Sequence, residues 1–302
     1  MSPSILRPLR RVAGRLTRVQ REVERAIIVD SPPRRPRQAR SVWGVAVVRD
    51  DADIVGTTCE HLLGQGLTGL IVLDHRSTDS TATVLSGLAT AYPGRVFVGR
   101  LDLEAFHQGR AQSYLAHLAR RAGAEWVIPF DADEWWYGEG SSLVDVLGRQ
   151  EADVVRCSVH DARPAGPAWM PGDPLRVKTT PMPRAKVAFR AASWVWVYEG
   201  NHEVDRPGRR GDGLAMLHAS YRSPDHVRER VRTGSRSIRA AGPTIAEGVG
   251  RHWHVLADLD DEGVAAWWRR EQQRVAADDT WVDVADYLAW AAFDPRHEVR
   301  SA

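Results

Sequence analysis

Acidic side chains gather at three places in the first half of the chain: Arg49-Asp50-Asp51, Asp74-His75-Arg76-Ser77-Thr78-Asp79 and Asp131-Ala132-Asp133-Glu134. Each group directly follows a short apolar run, the place where a buried strand would end. Carboxylates cannot crowd together ionised without something positive between them. Hard oxygen ligands suit Mg²⁺ or Mn²⁺, which keep several waters and share their sites with a substrate's phosphates. An Asp-x-Asp pattern alone is weak, and Asp-Ala-Asp occurs twice, at 51–53 and 131–133. The second copy follows an apolar strand and is expected to hold a divalent metal. The first opens a helix, where Asp53 is expected to cap the end or sit in solvent.

The elements that would position these acids alternate regularly. SVWGVAVV (41–48), GLIVLD (69–74), RVFVGRL (95–101) and EWVIPF (125–130) read as strands. Helices are expected over 52–65, 78–92 and 107–122 between them, the second opening on hydroxyl and carboxylate caps. This β-α-β-α-β-α-β rhythm predicts an α/β fold with a mostly parallel, Rossmann-like sheet flanked by helices. In such sheets ligands sit at the carboxyl ends of the strands, where the acids stand.

Charge separates the N-terminus from this body. The chain carries 41 basic and 39 acidic residues, but residues 1–40 hold eleven arginines against Glu22, Glu24 and Asp30, leaving the rest acidic. Ile5, Leu9, Val12, Leu16, Val19, Val23 and Ile27 recur at helical spacing, so residues 1–30 predict a basic amphipathic helix. It could dock on its own domain, pair with a second copy, or make peripheral contact with an anionic membrane. Residues 31–40, SPPRRPRQAR, read as a linker. The acidic body argues against nucleic acid as the ligand. Two distant cysteines exclude a disulfide framework, and no apolar stretch is long enough to span a bilayer. A cytoplasmic protein is expected, with peripheral attachment at the inner face of the membrane as the membrane-bound variant of that reading.

VVRDDADIVGTTCEHLLGQGLTGLIVLDHRSTDST, followed about fifty residues later by WVIPFDADEWW, resembles the nucleotide-binding half of a GT-A glycosyltransferase, most closely the family 2-like enzymes. The likeness runs on through Lys186, GNHEV (200–204) and LHASYRS (217–223), covering roughly residues 41–225. It implies a nucleotide-diphosphate-sugar donor, with UDP as the guessed nucleotide, and Mn²⁺ or Mg²⁺ held by Asp131 and Asp133. The acceptor would be a glycan, a lipid or a small molecule. Arg49 and Asp51 align with the donor-binding end of the first strand, Asp74 with the acid that contacts the donor's base, and Asp79 with the acid closing the S-T-D turn. His218 would meet the metal or the diphosphate. The chain departs from the pattern at Asp51, where Glu is usual, and at His75-Arg76, which replaces a small or amide pair. By this reading 41–150 is the donor half, 151–225 the acceptor half and 226–302 a helical C-terminal extension.

Inverting sugar transfer needs a base for the acceptor hydroxyl and positive charge for the departing diphosphate. Glu199, His202 and Glu203 are compact candidates for the base, though a solvated hairpin turn would read the same way. Residues 186–204 alternate well enough to predict two strands with a turn near 191–193. Lys186, Arg222 and Arg228 could face donor phosphates or simply lie on the surface. Trp135, Trp136 and Trp196 are candidates to stack on a sugar ring, against the alternative that each is a core residue. His252 and His254 lack a third partner for zinc and read as structural. Two rivals remain. A nucleotidyltransferase would open with a Gly-rich basic loop after the first strand, which RDDADIV lacks. A non-catalytic sugar- or nucleotide-binding module would show a degraded metal motif, whereas Asp131 and Asp133 are intact.

Overall fold

The computed structural model describes residues 18–240, 256 and 258–287. His252 and His254 lie outside the described residues, as do the first part of the basic segment and the end of the apolar stretch after Tyr287. The expected rhythm appears almost residue for residue. Strands β2 (Val42–Val48), β3 (Gly69–Asp74), β4 (Val96–Leu101) and β5 (Trp126–Pro129) alternate with helices α2 (Val55–Gly64), α3 (Thr81–Ala91) and α4 (Gln108–Arg121). The four strands lie in the order β4-β3-β2-β5, all parallel. β2 is buried along its whole length, as expected of a strand covered on both faces. One core cluster contains Ile54, Leu62 and Leu85; a second contains Ala111, Leu115 and Leu118.

Beyond β5 the sheet continues with mixed pairing through β9 (Lys186–Arg190), β7 (Val154–Pro164), β10 (Arg210–His218) and β6 (Glu134–Gly138). Short helix α5 (Leu143–Arg149) connects β6 to β7, its start capped by the Ser142 hydroxyl accepting from Asp145 N. β10 runs parallel to β7 and antiparallel to β6, with His218 opposite Glu134. That register carries the end of β10 back to the Asp-x-Asp turn, where Ala219 N donates to the Asp133 carbonyl at 2.9 Å.

Four expectations need correction. Residues 186–204 do not form two strands: after β9 the chain runs irregularly to a single bridge, Val197 to Val204, around a 3₁₀ turn at Glu199–Asn201. The C-terminal part is not wholly helical. Between helices α6 (Pro224–Ala240) and α7 (Asp261–Ala277) and the end of the described chain stands strand β11 (Trp281–Val284), antiparallel to β8 (Leu175–Lys178). The basic helix ends early: α1 (Arg18–Ala26) gives way to strand β1 (Ile27–Val29), which covers the β4 edge. Of the readings given for this segment, its described part docks on its own domain, because Val23 and Ile27 belong to the core cluster under α4. The linker is laid down as well, Arg35 N donating to Arg121 O and Gln38 N to Gly123 O.

Candidate active site

The three acid groups converge on the carboxyl rim of the parallel sheet. β2 ends in Asp50, held at φ 52°. Its carboxylate accepts from Thr78 N at 2.6 Å, while its own N–H donates to Ser77 Oγ at 3.0 Å. Asp79 is consumed by this framework, accepting from Thr81 N and Oγ1 on one oxygen and Ala52 N on the other. It therefore holds two loops together and has little capacity left for a donor. Asp74 differs: one oxygen accepts from Ser77 N at 3.3 Å, and the other is buried without a hydrogen-bond partner. His75 is buried against Phe106, its Nε2 2.6 Å from Leu103 O, and burial pushes its pKa down to about 4. Arg49 lies beside Asp50 at the same rim.

The Asp-x-Asp turn is the most buried part of the site. Asp131 Oδ1 accepts from Gln108 Nε2 and from Asn201 Nδ2, and Oδ2 pairs with Lys186 Nζ at 2.9 Å. Burial raises the Asp131 pKa most strongly, but the charge and hydrogen bond of Lys186, with His218 adding, together keep the carboxyl below its usual range. Lys186 also meets Glu134 Oε1 at 2.7 Å. Burial by itself would lower the Lys186 pKa; its two carboxylate partners instead drive it upward. This lysine is neutralised from below and is not offered to a phosphate.

Asp133 is arranged oppositely. Fully buried, neither of its carboxylate oxygens has a hydrogen bond. Two arginines and a histidine surround it instead: Arg230 Nη2 at 3.3 Å, His218 Nε2 at 3.7 Å and Arg222 Nη1 at 4.0 Å. Burial opposes its ionisation, yet Arg230, His218 and Arg222 together hold its pKa well below the ordinary carboxylate range. Arg222, expected to bind donor phosphate, is fully buried. It grips Asp53 with Nε at 2.6 Å and Nη2 at 2.8 Å, and Asp51 at 3.1 Å. Asp53 is thus an ion-pair partner rather than a cap. Arg228, the third expected phosphate cation, turns outward to Asp225 and Asp261.

Arg230, which the sequence did not single out, bridges Asp51 at 3.1 Å and Asp133. Its spacing from Arg222 on a helix that starts two residues later is the only trace it leaves in the sequence. His226, on the same helix, is half-buried with both ring nitrogens buried and neither hydrogen-bonded, and burial among these arginines pushes its pKa well down.

Of the three candidate bases, only Glu199 reaches the interior. Its carboxylate accepts from Gly109 N at 3.0 Å. Burial raises its pKa to about 7, against smaller opposing effects from the Gly109 and Gln108 amides and Arg110. The 3₁₀ turn that carries it also supplies Asn201, in the left-handed region at φ 58°, to Asp131. Gly109 is required here: a Cβ would stand 2.5 Å from Val197 O and 3.0 Å from the Tyr198 carbonyl carbon. His202 is exposed, its Nδ1 3.0 Å from Ala185 O, and Glu203 faces outward to pair with Arg210 at 2.8 Å.

The proposed stacking tryptophans divide likewise. Trp135 and Trp136 are fully buried on β6 and belong to the core. Trp135 packs against Trp169 and Tyr287, and Trp136 Nε1 donates to Glu134 Oε2 at 3.2 Å. Trp196 remains partly exposed, with the Arg110 guanidinium 4.9 Å from its ring centre.

A divalent cation can be tested against these donors. Among the described residues no group of three or more His, Cys, Asp and Glu side chains is placed to hold a metal. Asp131 has three of its four acceptor sites taken. Asp133 and His218 remain, and Asp133 has no hydrogen bond to give up. For an ion that keeps waters and takes diphosphate oxygens, one or two protein ligands suffice. Among the described residues, five carboxylates (Asp51, Asp53, Asp131, Asp133 and Glu134) face three cationic partners (Lys186, Arg222 and Arg230). Burial raises the pKa of Asp51 and of Glu134, the response of acids short of counter-charge. Among the described residues, Asp133 with His218 is where such an ion would find carboxylate oxygens without hydrogen bonds.

No family model and no curated protein matches the chain. Among solved structures it is similar to residues 1–349 of TarS from S. aureus, at 13% identity and TM-score 0.40, over 78% of this chain and 69% of that one. A mycobacterial protein aligns at 16% identity and TM-score 0.36, over 67% and 75%. A putative glucose-1-phosphate thymidylyltransferase from Bacillus anthracis, in complex with a sucrose, aligns at 7% identity and TM-score 0.30, over 83% and 96%. No helix among the described residues is long and apolar enough to cross a membrane.

Proposed function

We propose that this chain is a glycosyltransferase that takes a sugar from a nucleotide-diphosphate donor and passes it to an acceptor hydroxyl. One observation carries the reading: at the carboxyl rim of a parallel sheet, Asp133 presents two buried oxygens without hydrogen bonds. The half-satisfied Asp74 lies at the end of β3, two strands away in the sheet order. In this reading the free Asp74 oxygen receives the nucleoside. Asp133 and His218 would hold Mn²⁺ or Mg²⁺, which would supply positive charge to the diphosphate oxygens when bound. Gln108, Asn201 and Lys186 fix Asp131 beside them, and Arg222 and Arg230 keep Asp133 ionised.

Glu199 acts as the base. Its raised pKa places it near neutrality, where a general base is most effective. The acceptor oxygen attacks the anomeric carbon as its proton passes to Glu199. The bond from that carbon to the phosphate oxygen breaks, and the nucleoside diphosphate leaves with the electron pair. A single displacement of this kind inverts configuration at the sugar.

Release of nucleoside diphosphate from uridine, guanosine and thymidine diphosphate sugars in the presence of Mn²⁺ tests the reading. The expected outcome is turnover of at least one donor, lost in Asp133→Asn while circular dichroism is unchanged. No turnover of any donor, or an Asp133→Asn variant as active as the wild type, overturns it. Pyrophosphate release from a nucleoside triphosphate and a sugar phosphate would instead make the chain a nucleotidyltransferase.

A further inference from the structure

A second concavity of about 560 Å³ lies beside the base-bearing turn, between α1, α4 and residues 192–196. Its size is that of a small-ligand site. Trp194, Trp196 and Tyr114 line it, with Arg21, His117 and Arg121 among them and Glu24 as the one acid. Arg121 Nε is buried there without a hydrogen-bond partner. Leaving a guanidinium N–H unsatisfied is costly unless a ligand completes it.

Short links join the cavity wall to the candidate active site. Trp196 packs on Arg110, the neighbouring Gly109 N donates to Glu199, and Gly200 N donates to Gln108, which holds Asp131. Along α4, Ser113 on the cavity wall stands about 7 Å from Gln108 at the rise of an α-helix. A ligand of two or three sugar units could span that interval. Residues 1–17 are poor occupants, because they carry Arg7, Arg10, Arg11 and Arg15 with no acid. A segment of that charge has no electrostatic reason to enter a cavity whose own charge is positive.

We propose that this cavity is the acceptor subsite, and that the acceptor is a carbohydrate bearing a phosphate or carboxylate group. The sugar ring lies against the indoles, which offer flat apolar surface, and the anion pairs with Arg121. The acceptor role rests on the transferase reading; the binding of an anionic sugar does not.

Glucose 6-phosphate is a suitable probe, with glucose and inorganic phosphate as its separate halves, all titrated calorimetrically into the full chain. Glucose 6-phosphate should bind at least about ten-fold tighter than either half. Both Arg121→Gln and Trp194→Ala should weaken it about ten-fold or more while the unfolding midpoint stays within a few degrees. Asp133→Asn should bind it like the wild type. In the presence of a turned-over donor, the probe should stimulate nucleoside diphosphate release, and the two cavity variants should lose that stimulation. Equal binding of glucose and glucose 6-phosphate, or unchanged binding in both cavity variants, overturns the subsite. Binding without stimulation of an active donor reaction overturns the acceptor role. Absence of donor turnover with binding intact removes the transferase reading and leaves the site. Displacement of the probe by phosphatidylcholine vesicles containing phosphatidylglycerol, but not by vesicles of phosphatidylcholine alone, would transfer the anion to a lipid headgroup and overturn the sugar half of the proposal.

Discussion

At the scale of single residues, the two aspartates of one motif live under opposite conditions. Asp131 accepts from three donors, whereas Asp133 has ion pairs at a distance and no hydrogen bond. Lys186 balances both Asp131 and Glu134 from a site 4% exposed, so its removal strands two buried acids. Lys186→Met is expected to lower stability by about 3–5 kcal/mol, read as the shift in a urea midpoint. Combining it with Glu134→Gln should recover part of that loss, since one stranded charge is gone. Glu199 gives a prediction with a definite sign. Its folded pKa of about 7 lies above the ordinary 4.5, so the folded state binds its proton more tightly. Ionising it in place therefore costs stability as pH rises from about 4.5 to 7, and the cost persists above 7. Glu199→Gln should be more stable than the wild type at pH 8, by on the order of 3 kcal/mol at most, and equal to it near pH 4.5. In the wild type, transfer should rise to a plateau above about pH 7, and the variant should lose that limb along with activity. A flat pH profile in the active wild type would remove Glu199 from the role of base.

At the scale of elements, the N-terminal turn of α4 does the positioning. Gly109 lets the 197–199 backbone lie directly on the helix, and the same N–H holds Glu199. In an ordinary helix interior, Gly→Ala stabilises by up to about 1 kcal/mol. Gly109→Ala should instead lower the unfolding midpoint and reduce transfer, because the Cβ must displace the turn carrying Glu199 and Asn201. An increase in stability would show that the packing is loose. The sequence made the β2 to β5 half legible because each strand is a short apolar run bounded by caps, and each buried strand ends in acids that need a reason to be there. Elsewhere the pattern misled. Residues 27–29 continue a helical spacing but pair with β4, since an exposed parallel edge gains more from a strand than from another turn of helix. Trp135 and Trp136 looked available for a ligand because Tyr287, which packs on Trp135, comes from far along the chain. Residues 186–204 alternate like a hairpin, yet beyond the first strand their polar groups are drawn to Ser113, Gln108 and Asp131 on other elements.

At the scale of the whole molecule, the division at residue 225 dissolves. α6 lies beyond it, yet Arg230 on that helix neutralises Asp51 and Asp133, the acids at the ends of β2 and β5. Further links run the same way: Trp268 Nε1 donates to Pro167 O at 2.9 Å, and Arg163 pairs with Glu271 at 3.4 Å. The N-terminal segment behaves likewise, with Val23 wholly buried under α4. A chain limited to residues 41–225 would keep the entire Asp-x-Asp turn and the base. It would lose Arg230 from two buried carboxylates, the cover of the β4 edge and the Tyr287 side of the aromatic cluster. Each stranded acid would then have to take up a proton or draw in water, and loss of a buried partner alone costs several kcal/mol. This is comparable with the whole stability of a typical domain. The expected outcome is that residues 41–225 give no cooperative thermal transition, whereas residues 18–287 unfold in one step. Within the longer chain, Arg230→Met should abolish donor turnover and lower the midpoint, and Arg230→Lys should restore stability in part, because an ammonium can bridge two carboxylates but lacks the guanidinium's two-sided reach. A cooperative, donor-binding 41–225 fragment would show instead that the acids are balanced from within the sheet.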